Sequence, residues 1–93
     1  MDGIKFDSRK EAARWVELLT LESAGVLTGL RRQVRIPIQV NGVKVCVYVA
    51  DFTYTRNGRE VVEDVKSEFT KMLPLYRLKK KMLAAWGVEI NEV

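Results

Sequence analysis

Two Asn-Gly pairs, Asn41-Gly42 and Asn57-Gly58, constrain this chain more than any other feature. Each interrupts a stretch of alternating apolar residues. An Asn-Gly pair in that setting signals a two-residue hairpin, because both turn positions need positive φ and these residue types tolerate it. The pairs predict a three-strand antiparallel meander over Arg32 to Val40, Val43 to Tyr54 and Arg59 to Lys66. Pro37 cannot donate to a ladder, which puts the first strand at an edge.

Helices are expected on either side. Ser8 is a good N-cap, and Glu11 three residues later fits a capping box. Trp15, Val16, Leu18 and Leu19 recur at helical spacing, so a helix should run from Ser8 to about Ser23. The segment Ala24 to Leu30 carries Gly25 and Gly29 and has no clear assignment. Pro74 suits a helix first turn, Leu75, Leu78 and Met82 share a face, and Gly87 can close the helix after Trp86. Val88 to Val93 alternates weakly, as a short last strand would. At 93 residues one domain spanning 1–93 is expected, a mixed α/β fold ordered helix, meander, helix, strand.

The hairpins set a register. A two-residue turn at Asn57-Gly58 places Asp51 opposite Asp64 and Val49 opposite Lys66. A two-residue turn at Asn41-Gly42 places Val34 opposite Val49 and Arg32 opposite Asp51. One sheet face should then carry Val34, Ile36, Ile38, Val40, Val43, Val45, Val47, Val49 and Val62, with Asp51, Asp64 and Lys66 gathered at its end. Two carboxylates directly opposite each other repel, the more so beside apolar side chains. A raised pKa, a neighbouring cation or a divalent metal would resolve the conflict. A second reading stays open, with both acids in water past the core edge, bridged by Lys66 and Arg32. A one-residue slip in either turn would dissolve the constellation. Glu63 and Gln33 fall on the other face.

The chain has no histidine, which excludes Ser-His, Cys-His and histidine-zinc chemistry. Its one cysteine, Cys46, sits in an apolar run and reads as a small buried hydrophobe. Trp15 and Trp86 read as core residues. Hydrolysis would therefore fall to carboxylates, lysine and a hard metal ion. The net charge of +4 suits a polyanionic partner. The excess clusters at Arg31, Arg32 and Arg35, at Arg56 and Arg59, and at Arg77, Lys79, Lys80 and Lys81. No apolar run approaches the ~18 residues of a membrane span, and Met1-Asp2-Gly3-Ile4-Lys5 has no apolar leader core. A cytoplasmic protein is expected.

Tyr48-Val49-Ala50-Asp51-Phe52 followed by Val61-Val62-Glu63-Asp64-Val65-Lys66 resembles the PD-(D/E)XK nuclease signature, with Asp51 at its first position and Asp64-Val65-Lys66 at its second. More of the chain resembles small phage-encoded endonuclease-like proteins: Phe6-Asp7-Ser8-Arg9-Lys10-Glu11-Ala12, Gln33, Tyr76-Arg77-Leu78-Lys79-Lys80-Lys81 and Gly87-Val88-Glu89-Ile90. Ala50 stands where the superfamily has its named proline, and Ser67 where glycine is common after the lysine; neither change removes a chemical group. The resemblance implies a restriction-endonuclease-like core and a Mg²⁺-dependent endodeoxyribonuclease, with Mn²⁺ able to substitute. Asp51, Asp64 and the Val65 carbonyl would be metal ligands, and Lys66 would orient or deprotonate water. Holliday-junction resolvases are related, and they place a first-helix glutamate at the metal, a role open to Glu11 beside its capping role. Tyr76, Lys79, Lys80, Arg32 and Gln33 are candidate nucleic-acid contacts. Junction resolution needs two cuts, so a homodimer is expected, with the Pro37 edge and Ala24 to Leu30 as interface material. The rival is a non-catalytic phage nucleic-acid-binding or assembly protein that keeps the fold.

Overall fold

A computed structural model describes residues 5, 6 and 8–93. Met1 to Ile4 and Asp7, used in the reading above, lie outside the described residues. The order is α1 (Arg9–Ser23), β1 (Thr28–Val40), β2 (Val43–Arg56), β3 (Arg59–Asp64), α2 (Glu68–Lys71), α3 (Pro74–Ala85) and β4 (Ile90–Glu92). The sheet runs β1-β2-β3-β4, antiparallel through the meander and parallel between β3 and β4. The Pro37 strand is an edge, as expected.

Both turns form as predicted. Asn41 and Gly42 have φ of 51° and 80°, and Asn57 and Gly58 have 53° and 72°, the positive pair that matches the twist of the flanking strands. From the second turn, Arg56 pairs with Arg59 and the register runs without interruption to Phe52 opposite Glu63. The first hairpin departs from expectation. Gln39 pairs with Lys44, but Ile38 pairs with Cys46, so Val45 is an extra residue in β2. This bulge shifts everything beyond it by one position. Val34 faces Ala50 rather than Val49, and Arg32 faces Phe52 rather than Asp51.

The buried set also differs. Tyr48, Ala50, Phe52 and Tyr54 are the buried residues of β2, while Val43, Val45 and Val49 are exposed. Ile38, Tyr48, Ala50, Leu83 and Ile90 form one cluster, joined by Tyr76, Met82 and Cys46. Leu18, Leu27, Phe52 and Tyr54 form the other, joined by Trp15 and Val65. Trp15 stacks on Phe52 with ring centroids 5.8 Å apart, the core role expected of it. Trp86 is instead 48% exposed, because it lies at the end of α3, where Gly87 and Val88 donate to Ala84 and Leu83 and turn the chain away. Two segments were not foreseen. β1 starts at Thr28, inside the unassigned stretch, and α2 is a single turn capped by Ser67, whose hydroxyl accepts from the Thr70 amide.

Candidate active site

The β2–β3 ladder ends at Phe52 and Glu63, and beyond it two carboxylates replace backbone pairing. The amide of Asp51 donates to Asp64 Oδ1 at 2.8 Å. The amide of Val65 donates to Asp51 Oδ2 at 2.9 Å. Each acid thus accepts a main-chain N–H from the opposite strand, an arrangement that offsets part of their mutual repulsion.

Asp64 is fully buried. Its Oδ2 is also buried and has no hydrogen-bond partner among the described residues, a costly state for a carboxylate oxygen. Burial pushes its pKa up to about 6, against the opposing pull of the Asp51 amide and Lys66; the nearby Glu92 adds to the rise.

The β-bulge brings in a residue that the uniform register assigned to the other face. Gln33, between Arg32 and Val34, now lies beside Asp51. It adopts φ of 52°, and its Nε2 donates to Glu11 Oε1 at 3.1 Å and to Asp51 Oδ1 at 3.4 Å. Gln33 therefore joins the first helix to the acids. Glu11 is 3% exposed, and its backbone amide donates to Ser8 Oγ at 3.1 Å, so the cap uses its main chain while its carboxylate meets Gln33.

Glu11, Asp51, Val65 and Lys66 line one concavity of about 390 Å³. Its remaining walls are Ser8, Lys10, Ser67 and Thr70. Lys10 is a residue the sequence reading missed; its Nζ donates to the Lys66 carbonyl at 3.2 Å. Nothing in local patterning marks Lys10, which is placed by the docking of α1. Lys66 Nζ lies 4.7 Å from the centroid of the Tyr76 ring, within cation–π range. Among the described residues it makes no ion pair with Asp64, and Asp64 is buried rather than in water, so the second reading, of solvated acids bridged by Lys66, is not what forms.

The candidate nucleic-acid residues divide. Tyr76 donates its hydroxyl to Glu92. Lys79 Nζ donates to the Val47 carbonyl at 3.0 Å, and Lys80 pairs with Glu92 at 3.1 Å. Arg32 donates to the Lys5 carbonyl at 3.2 Å and lies 4.8 Å from the Phe6 ring centroid. Each of the four has a partner within the chain. Gln33 belongs to the acid site. Glu63, placed on the other face by the register, is structural: it is fully buried, accepts from two Arg14 nitrogens at 2.9 and 2.7 Å, and accepts the Tyr54 hydroxyl at 3.1 Å.

Among the described residues no group of three or more His, Cys, Asp or Glu side chains is arranged to hold a metal ion. The acids come as a pair, Asp51 and Asp64, with Glu11 linked through Gln33. Mg²⁺ does not require three, since it keeps several waters and commonly takes one or two carboxylates. Asp51 lines the concavity, whereas Asp64 is fully buried and is not among its walls; both are carboxylates, the donor type that Mg²⁺ takes. No helix among the described residues is long and apolar enough to cross a membrane. No curated protein and no solved structure matches this chain. A family model does match, over residues 1–92, and the chain belongs to that family, described as a protein of unknown function (DUF1064).

Proposed function

We propose that the protein is a metal-dependent endodeoxyribonuclease of PD-(D/E)XK type, hydrolysing DNA phosphodiester bonds. One observation carries the reading: a buried Asp64 oxygen without a partner among the described residues, beside a second carboxylate, Asp51, held by the Val65 amide. Satisfying that oxygen within the fold would take one more donor. Leaving it bare is costly, and a proton, a water or a cation would complete it; beside a second carboxylate, a divalent cation neutralises both acids at once.

Asp51 and Asp64 would hold Mg²⁺, with the Val65 carbonyl as a further ligand and Glu11 at its edge. A divalent ion held there would supply charge neutralisation at phosphorus and activate water for attack. Gln33 fixes the rotamers of Asp51 and Glu11 through its amide. Lys66 and Lys10 supply positive charge at the mouth of the concavity, where negative charge develops on the phosphate oxygens. The ammonium of Lys66, held over Tyr76, would need only a side-chain rotation to meet substrate. Restriction to branched DNA, as in a junction resolvase, would need two sites in a dimer, for which the β1 edge is available.

The test is cleavage of plasmid and four-way-junction DNA with Mg²⁺, Mn²⁺ or EDTA, using wild type, Asp51→Asn and Lys66→Ala. Metal-dependent cutting by the wild type, lost in both variants, is expected. No metal-dependent cutting of any DNA form would reject the reading in favour of a binding or assembly role. Cutting of plasmid with junctions left intact would reject the resolvase form alone.

A further inference from the structure

A second cleft, of about 340 Å³, opens between α2, α3 and β4 and is lined by Lys71, Tyr76, Arg77, Lys80, Lys81 and Glu92. It holds four cations and one acid. The acid is already neutralised, since Glu92 accepts the Tyr76 hydroxyl and pairs with Lys80; these contacts, Tyr76 first, hold its carboxyl below the usual range. Lys71 pairs at the cleft rim with Glu68, whose side chain is 95% exposed, so that pair is weak. Arg77 and Lys81 are exposed and stand one turn apart on α3, where like charges repel. Among the described residues neither has an ion-pair partner. Positive charge concentrated this way is unfavourable for the folded chain alone and complementary to a polyanion.

The cleft is joined to the acid site through Tyr76. The ring of Tyr76 carries the Lys66 ammonium on its face, while its hydroxyl is bonded into the cleft at Glu92. Glu92 itself pairs with Asp64 across β3 and β4. Lys66 lines the acid concavity and Tyr76 lines the cleft, so the two sites adjoin at this contact.

We propose that Lys71, Arg77 and Lys81 form a binding subsite for the DNA backbone phosphates that flank the one to be cleaved. This rests on the nuclease reading for its substrate but makes a separate claim about where affinity resides. It also relocates the contact: Lys79 and Lys80 are committed within the fold, and the neighbouring Arg77 and Lys81 are the ones presented to a ligand.

Fluorescence anisotropy of a labelled DNA duplex in EDTA, across a salt series, tests it without cleavage. The variants are Arg77→Gln/Lys81→Gln and, as a control with the same net charge, Arg56→Gln/Arg59→Gln at the β2–β3 turn. The cleft variant should lose about tenfold or more in affinity and its log–log salt slope should flatten by about two, while the control shifts far less. Equal behaviour of the two variants would overturn the subsite. A wild type that binds through the cleft yet cuts no DNA with Mg²⁺ or Mn²⁺ would reject the nuclease reading and leave the cleft standing. A wild type that cuts DNA while its cleft variant binds like the control would do the reverse.

Discussion

The main-chain amide of Asp51 is hydrogen bonded to the carboxylate of Asp64 at 2.8 Å, so the acid at the end of β3 is anchored by the backbone of β2. That contact satisfies one oxygen of Asp64. The other is buried and accepts no hydrogen bond from the described residues.

Asp64 should therefore destabilise the metal-free protein near neutrality. Its pKa rises from 3.8 to about 6, so between those values the folded state holds a proton that the unfolded state releases. Stability from this group is full below about pH 4 and is lost as pH rises through 6. The difference amounts to about 3 kcal/mol at most. In EDTA, Asp64→Asn should be more stable than wild type at pH 7.5, and the gap should close by pH 4. Chemical denaturation at both pH values reads it. A variant less stable than wild type at pH 7.5 would contradict the assignment.

A divalent cation should offset part of this penalty. Mg²⁺ at roughly ten times its Kd would stabilise by on the order of 1 kcal/mol, a rise in Tm of roughly 4–8 °C. The effect should be present at pH 7.5, should shrink at pH 5 where Asp64 holds its proton, and should vanish in Asp51→Asn. Scanning calorimetry with Mg²⁺ against EDTA checks it. An equal shift in Asp51→Asn would place the ion elsewhere.

Capping and chemistry are separable at Glu11. Ser8 Oγ accepts the main-chain amide of Glu11, which any side chain at position 11 retains. Ser8→Ala should cost ~1 kcal/mol and leave DNA cleavage close to wild type. Glu11→Gln and Gln33→Ala should each lower cleavage by about tenfold or more, since both disturb the hydrogen bonds that orient Asp51. Wild-type cleavage in Glu11→Gln would remove its carboxylate from the chemistry and leave Glu11 a structural role.

What the sequence shows unaided depends on where its pattern is one-sided. Asn57-Gly58 leads through an unbroken register to the Asp51–Asp64 pair, because no extra residue intervenes in β2–β3. The first hairpin is different. From Val43 to Ala50 apolar residues occupy both parities, Val43, Val45, Val47 and Val49 on one and Cys46, Tyr48 and Ala50 on the other. Alternation then cannot choose the buried face, and a bulge at Val45 is invisible to it. That bulge decides the neighbour of Asp51, which is why Arg32 was expected there and Gln33 is found. Its family-matching stretch marked Gln33, but the uniform register could not place it. Lys10 and the α3 cleft depend on how helices dock, which local spacing does not encode.

The same docking rests on an ion pair next to the site. Arg14, one turn beyond Glu11 on α1, donates through two nitrogens to the fully buried Glu63, which also takes the Tyr54 hydroxyl. Glu63 raises the Arg14 pKa, through the hydrogen bond first. Arg14→Leu would strand the Glu63 charge in the interior and should destabilise by about 3–5 kcal/mol. Adding Glu63→Leu removes the stranded charge, so the double variant should recover much of that loss. If Arg14 sets the pose of α1, the recovered double variant should remain impaired in cleavage, because Glu11 and Lys10 ride on the same helix. Denaturant melts and DNA cleavage, measured on both single variants and the double, separate the two effects. Full recovery of cleavage along with stability would show that the ion pair holds the fold together without positioning the acids.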